Sequence, residues 1–225
     1  MKVIVTGATG MVGEGVLLEC LENPGVERVL VVSRRSCEYT HAKLRECLVS
    51  DFRELGAHEA EVRDHDACFY CAGVSSIGMT EADYTAITYD TPLRFAETLV
   101  RLNPGMVFVH VSGSHTDSSE QGKVMWARVK GRAENALMRL PFKAVYNFRP
   151  SLMKPTPGQK HVKTAYRAAL LLYPLARLFF PAMPLRDVAR AMINAVRFGA
   201  PKQVLEVPDM KVLAAKSQDP TCVRT

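Results

Sequence analysis

An apolar strand, Val3-Ile4-Val5-Thr6, runs directly into Gly7-Ala8-Thr9-Gly10-Met11-Val12-Gly13, three glycines at three-residue spacing that open a helical pattern. The first glycine permits a tight turn and the second lets the backbone approach a pyrophosphate. The third lets the helix pack close to the strand while its N-terminal amides face an anion. Behind the loop Val12, Val16, Leu17, Cys20 and Leu21 recur at helical spacing, and after Asn23-Pro24-Gly25 a second apolar strand, Glu27 to Val32, follows. The pattern predicts a dinucleotide site on Gly7, Thr9, Gly10, Met11, Val12 and Gly13.

The end of the second strand bears on which dinucleotide. An NAD site commonly places an Asp or Glu there for the ribose 2′-hydroxyl, whereas this chain reads Ser33-Arg34-Arg35. Two guanidiniums and a hydroxyl suit a 2′-phosphate, because arginine presents a planar donor fork that matches phosphate oxygens. NADP is therefore expected ahead of NAD, with solvated loop charges as the plainer alternative.

Strand and helix patterns alternate along the chain, which predicts an α/β fold: a doubly wound, mostly parallel Rossmann sheet with helices on both faces. Strands are expected at 2–6, 27–32, 45–49, 66–71, 106–111, 143–148 and 203–207. Helices are expected at 11–22, 81–102, 124–140 and 186–198, with a weaker one at 54–61. Ligands in such sheets sit beyond the carboxyl ends of the strands. That adds Asp51, Phe52, Cys71, Ala72, Gly73, Pro150 and Leu152 to the expected cofactor contacts, and places Ser112 at the same ligand end of the sheet. One Rossmann domain is expected over 1–207, with 151–185 as a substrate-side cap or interface and 208–225 as a loose tail.

Charge is uneven. Residues 123–167 hold eleven Lys or Arg and one acid, Glu134, a net +10 against −4 for the remainder. The expected use is attraction of a phosphate-bearing cofactor or an anionic substrate. Without a helix-turn-helix, zinc or aromatic RNA-binding signature, a nucleic-acid partner is not expected. The apolar run 168–184 contains three prolines and Arg177, which argues against a membrane span. A lipophilic substrate or a homodimer contact is expected there, with peripheral membrane contact as the lesser alternative. Six cysteines are scattered, and Cys68 and Cys71 lie at an odd offset on one strand, facing opposite ways with no second pair. No metal site is expected. Reduced thiols and the absence of a secretion-signal pattern point to the cytoplasm.

Thr6 to Gly13, Cys71-Ala72-Gly73, His110-Val111-Ser112-Gly113, the Lys130-Gly131 helix with Glu134, and Phe148-Arg149-Pro150 together resemble the atypical short-chain dehydrogenase/reductases. The likeness covers residues 1–207. It is nearest to small NADP-binding members and to NAD-dependent epimerase/dehydratases. The resemblance implies a Rossmann fold with NAD(P), Asp51-Phe52 beside the adenine, Ser112 orienting substrate and Lys130 on the nicotinamide ribose. It also implies a Tyr-x-x-x-Lys helix, and here the chain departs from it: the residues are Trp126-Ala127-Arg128-Val129-Lys130. An indole N–H donates a hydrogen bond but exchanges no proton near neutral pH. Three functional readings stay open: an oxidoreductase on a carbonyl or alcohol whose proton comes from Tyr84, Tyr89, His115 or a Lys130-linked water; a silent NADP(H)-dependent binding module; or an epimerase/dehydratase-type enzyme. A helix alignment in which Trp126 is only a core residue is the further alternative.

Overall fold

The computed structural model describes residues 1–164, 166, 170 and 173–216. Seven parallel strands form one sheet in the order β3-β2-β1-β4-β5-β6-β9. They are β1 (Lys2–Thr6), β2 (Arg28–Ser33), β3 (Leu44–Leu48), β4 (Ala67–Tyr70), β5 (Val107–Val111), β6 (Ala144–Arg149) and β9 (Val204–Glu206). A separate parallel pair joins β7 (Leu152–Lys154) to β8 (Ala182–Pro184). All seven expected strands are present, within two residues at each end. Strand order reverses between β1 and β4, which opens a crevice at their carboxyl ends.

The period-two alternation of side chains divides the interior into two cores. Val3, Val5, Val29, Val31 and Phe69 face α1 (Met11–Glu22), α7 (Leu185–Phe198) and α8 (Val207–Ala214). Ile4, Leu30, Val32, Cys68 and Tyr70 face α4 (Thr91–Leu102) and α5 (Met125–Met138), where Phe95, Leu99 and Leu137 are buried. Cys68 lies in the second core and Cys71 packs against the first, as the odd offset requires.

Two elements differ from expectation. Residues 81–102 are not one regular helix: α3 (Glu81–Thr85) passes through a π turn, Ala86–Asp90, into α4. Pro92 in the first turn of α4 has no N–H to give, and its ring crowds the carbonyl four residues back, so the regular ladder cannot run through. The Thr91 hydroxyl instead donates to the Ala86 carbonyl at 2.8 Å.

The loose tail is also corrected, because residues 207–214 form α8. Val207, Met210 and Leu213 are buried, and Glu206 and Asp209 make a reciprocal capping box. Pro208 stands near the helix start, where its missing donor costs nothing. Residues 217–225 lie outside the described residues, as do 165, 167–169, 171 and 172 of the cap and apolar run. Within the described part of that run, α6 (Tyr173–Phe179) leads to β8, and Leu175, Phe179 and Phe180 are exposed. Among the described residues no helix is long and apolar enough to cross a membrane.

Candidate functional site

The crevice at the switch point is a cleft of about 300 Å³, and Gly7, Thr9, Gly10, Met11, Val12, Gly13, Ser33, Arg34, Arg35, Phe52, Cys71, Ala72 and Gly73 line it. Two of the three loop glycines have reasons inside the protein. Gly7 sits at φ +72°, and a Cβ there would lie 2.7 Å from the Cys71 backbone; a Cβ on Gly13 would lie 2.2 Å from the Gly7 carbonyl oxygen. Gly10 is different. Its Cβ would meet only the Gly7 oxygen, at 3.5 Å, so the protein itself does not demand glycine there, and the room it leaves suits close approach of a ligand. Gly10 also offers no side chain to cap α1, so the first-turn amides of Met11, Val12 and Gly13 lack intrahelical acceptors beside the cleft. Thr6, fully buried, accepts hydrogen bonds from the Cys71 and Ala72 amides at 3.1 and 3.2 Å, which fixes the opposite wall. These residues fit a dinucleotide pyrophosphate.

No carboxylate lines this cleft among the described residues. Arg34 and Arg35 are exposed at its rim, and neither forms an ion pair among the described residues. Ser33 does not offer its proton as expected: it is buried and its hydroxyl donates to the Arg35 carbonyl at 2.6 Å, which shapes the loop. Asp51 lies in an adjoining cleft that shares Arg34, Phe52, Ala72 and Gly73 and extends to Tyr70 and Ile87. Its carboxylate is taken by Arg53 at 2.5 Å, which holds its pKa below the ordinary carboxylate value. Pro150 and Leu152 are not among the residues around the glycine-loop cleft: the Pro150 carbonyl accepts from the Ser114 amide, and Leu152 pairs with β8.

The expected substrate side rests on how loop 112–124 packs onto α5. A Cβ on Gly131 would sit 1.7 Å from the Asp117 carbonyl oxygen, so glycine is required for the loop to lie on the helix. The Asp117 amide donates to the Ala127 carbonyl at 3.1 Å. Behind this contact, Arg149 at the end of β6 forms a two-pronged ion pair with the fully buried Glu134, at 3.0 and 2.5 Å. It also donates to Ser118 at 2.6 Å and reaches Glu206 at 3.3 Å. One guanidinium thus joins the loop, α5, β6 and β9.

Ser112 is buried, with its hydroxyl 3.2 Å from that of Thr116. Trp126 and Lys130 are one helical turn apart on α5, both partly buried, while Val129, Ala133 and Leu137 fill the core. The Lys130 stem lies along Gly113. Burial holds the Lys130 ammonium below its ordinary pKa, with Glu134 opposing. His110, buried and donating to Asn147 at 3.0 Å, is pushed down to about 3 by burial and by Lys130, so it stays neutral at physiological pH.

Of the alternative proton donors, Tyr84 is 1% exposed and burial raises its pKa. The Tyr89 ring is covered by the Arg132 guanidinium at 4.1 Å. His115 is exposed, at φ +63°.

Glu14 was not legible as a special residue. It is fully buried in the first turn of α1 and accepts from the Tyr39 hydroxyl (2.6 Å), the Gln159 side chain (3.2 Å) and the amides of Lys160 and His161 (2.5 and 2.9 Å). Burial pushes its pKa up, but these donors outweigh it and the net value falls below the ordinary one. The contacts bring Lys160, His161, Val162, Lys163 and Tyr166 beside Thr9, Gly10 and Met11, around a second cleft.

The NAD dependent epimerase/dehydratase family profile matches residues 3–123. Protein fmp52, mitochondrial, of Emericella nidulans is 26% identical over 162 residues, 68% of this chain and 66% of that protein. Protein FMP52, mitochondrial, of Chaetomium globosum is 22% identical over 156 residues, 67% and 65% of the two chains. The matches therefore span just under two thirds of these relatives. Both names carry a mitochondrial designation, which overturns the expectation of a cytoplasmic protein. Among solved structures, the Bordetella bronchiseptica enzyme WbmF in complex with NAD+ is similar in fold, with a TM-score of 0.68 at 18% identity over 95% of this chain and 76% of that one. The glycine-loop crevice, the strand order and the profile match agree: the chain belongs to the NAD dependent epimerase/dehydratase family and has its nicotinamide-dinucleotide-binding oxidoreductase fold.

Proposed function

We propose that the chain is an NADP(H)-dependent oxidoreductase acting on a carbonyl or alcohol, located with mitochondria as the names of its fungal relatives suggest. The observation that carries the cofactor reading is the cleft lining: two arginines at the end of β2 and no carboxylate among the described residues. A 2′-phosphate would meet Arg34 and Arg35, the pyrophosphate the first-turn amides of α1, and the adenine the Phe52 side of the adjoining cleft. The bound nicotinamide supplies the hydride donor or acceptor. Lys130 holds the ribose and Ser112 hydrogen-bonds the substrate oxygen. The proton comes from a group other than Trp126, which donates a hydrogen bond only. The apolar and basic wall of Val162, Tyr166, Lys160 and Lys163 favours a substrate with an apolar body and an anionic group.

Trp126 itself favours a second reading, a protein that binds NADP(H) and signals its occupancy without turnover. General acid catalysis contributes about 10²- to 10⁴-fold, so its loss leaves either a slow enzyme or a silent one. One experiment addresses cofactor and site together. Trp126 is the single tryptophan, so its emission follows titration with NADPH and NADH. Quenching by NADPH at least tenfold tighter than by NADH, lost in Arg34→Ala, is the expected result. Equal affinities, or no loss in the variant, would sink the NADP assignment. Turnover of a carbonyl panel by Trp126→Tyr but not by the wild type would select the silent reading.

A further inference from the structure

Outside the cleft, three side chains of metal-ligating chemistry converge on the edge of the sheet. Cys47 comes from β3, His58 from the end of the 3-10 helix Phe52–His58, and Glu61 from the short helix that follows, Glu59–Val62. Their ligand atoms all lie within 4.8 Å of one another. His58 Nδ1 is 3.2 Å from a Glu61 carboxylate oxygen, and the Cys47 thiol hydrogen-bonds the same carboxylate. We propose that Cys47, His58 and Glu61 form a three-ligand site for a zinc-like divalent cation, with the fourth position open to solvent.

Geometry and charge both support this. A tetrahedral zinc bound to sulfur, nitrogen and oxygen sets its donors roughly 3.3–3.7 Å apart. The His58–Glu61 separation already lies close to that range, and the remaining contraction is within reach of side-chain rotation. Burial is graded from the inside out: Cys47 is 1% exposed, the His58 side chain 29% and the Glu61 side chain 51%. The thiol forms the floor and the carboxylate the mouth. Arg63 and Arg101 both pair with Glu59. Among the described residues, Glu61 has no arginine or lysine within 4 Å to neutralise it. One thiol, one imidazole and one carboxylate select zinc or cobalt over magnesium or calcium, which prefer all-oxygen sets. On binding, the cation displaces the Cys47 proton to solvent and takes the thiolate as ligand. The metal would staple residues 52–61 to β3, and Phe52 at the start of that segment lines the dinucleotide cleft.

The test is titration of the reduced, chelator-treated chain with Co²⁺. One equivalent is expected to give a thiolate charge-transfer band together with intense visible d–d absorption, the mark of tetrahedral cobalt. Zn²⁺ at a hundredfold excess over its Kd should raise the melting temperature by about 5–10 °C. Cys47→Ser should lose the charge-transfer band. Because Cys47 is buried and its variant could misfold, His58→Ala at the exposed side supplies the second arm, and should weaken Co²⁺ at least tenfold while leaving the metal-free melting temperature unchanged. Absence of the bands at one equivalent, their survival in Cys47→Ser, or unchanged affinity in a folded His58→Ala would each overturn the site.

Discussion

The glycine loop and the middle of α5 use the same device, a glycine where two backbones touch, yet they respond differently to change. At the loop, Gly7 and Gly13 admit close backbone approaches, and backbone amides of α1 face the cleft. An anion cradle made of amides needs no side-chain chemistry, only the room that glycine leaves. At α5, Gly131 lets loop 112–124 settle on the helix, but the proposed chemistry belongs to side chains that ionise in a buried setting, Lys130 and whatever stands at 126. Trp126 lies one turn before Lys130 on this helix, and the Asp117–Gly131 backbone contact does not involve its side chain. On the proposed reading the binding fold outlasts its acid, and that asymmetry can be tested from both ends.

The largest expected effect is at the α5 end. Glu134→Ala removes the two-pronged, fully buried partner of Arg149 and leaves it only Ser118 and the partly exposed Glu206; breaking a buried pair costs about 3–5 kcal/mol. Urea unfolding should show that loss. At a temperature where the variant stays folded, NADPH affinity should be nearly unchanged if the two regions are independent. Next come two glycines compared directly. Gly131→Ala forces the Asp117 carbonyl away and should cost about 1–3 kcal/mol. Gly10→Ala sits at φ −128°, ψ 160°, an extended conformation that alanine adopts, with only the 3.5 Å contact. It should leave stability unchanged or raise it by about 0.4–1 kcal/mol, while NADPH affinity falls at least tenfold. If Gly10→Ala destabilises the fold and spares affinity, the cradle reading of the loop is wrong.

The parts of this contrast that the sequence disclosed are the local and periodic ones. Apart from β3, which carries Arg45 and Glu46, the sheet strands are short, largely apolar and bounded by turn residues, and the three-residue glycine spacing marks a turn whose geometry is fixed within seven positions. Glu14 shows where that legibility ends. It reads as an ordinary first-turn acid, because its donors arrive from 25 and from 145–147 residues away. Arg149 could be read as part of a motif but not as a clamp, since its pairing with Glu134 and Glu206 is set by the docking of two further elements. Helix α8 was hidden by Pro208, which ends helices when inside them and starts them when first. The Val207, Met210, Leu213 spacing was the signal that could have found it. Ser33 lines the cleft, but the destination of its proton was not legible, because the acceptor is a backbone carbonyl two residues on.

Lys130 sharpens the comparison further, since it should stabilise a ligand at the expense of the free fold. Burial depresses its pKa, so the folded state holds the ammonium less readily than the unfolded chain does. The sign follows: stability is reduced below the folded pKa and recovers as pH rises toward the unfolded value. Lys130→Met removes the buried charge and keeps the stem. It should raise stability by about 1–2 kcal/mol at neutral pH and weaken NADPH binding. A destabilised variant with intact affinity would make Lys130 a structural residue.

The smallest effect returns to the loop end and tests whether its helix is anchored from behind. Tyr39→Phe removes one of the donors to Glu14 and should cost about 1 kcal/mol at neutral pH. Glu14 has a folded pKa below its ordinary value, so its contribution is fully present above the unfolded pKa and is lost as pH falls through the folded one. Without Tyr39, burial is opposed by fewer hydrogen bonds and the folded pKa rises, so the variant should begin to lose stability at a higher pH than the wild type. The two should then converge once Glu14 is protonated in both. Urea midpoints measured from pH 7 down to about 3 follow this directly. A stability difference that stays constant across that range would assign the loss to Tyr39 packing alone and leave the Glu14 carboxylate without a role in holding residues 159–161 against the glycine loop.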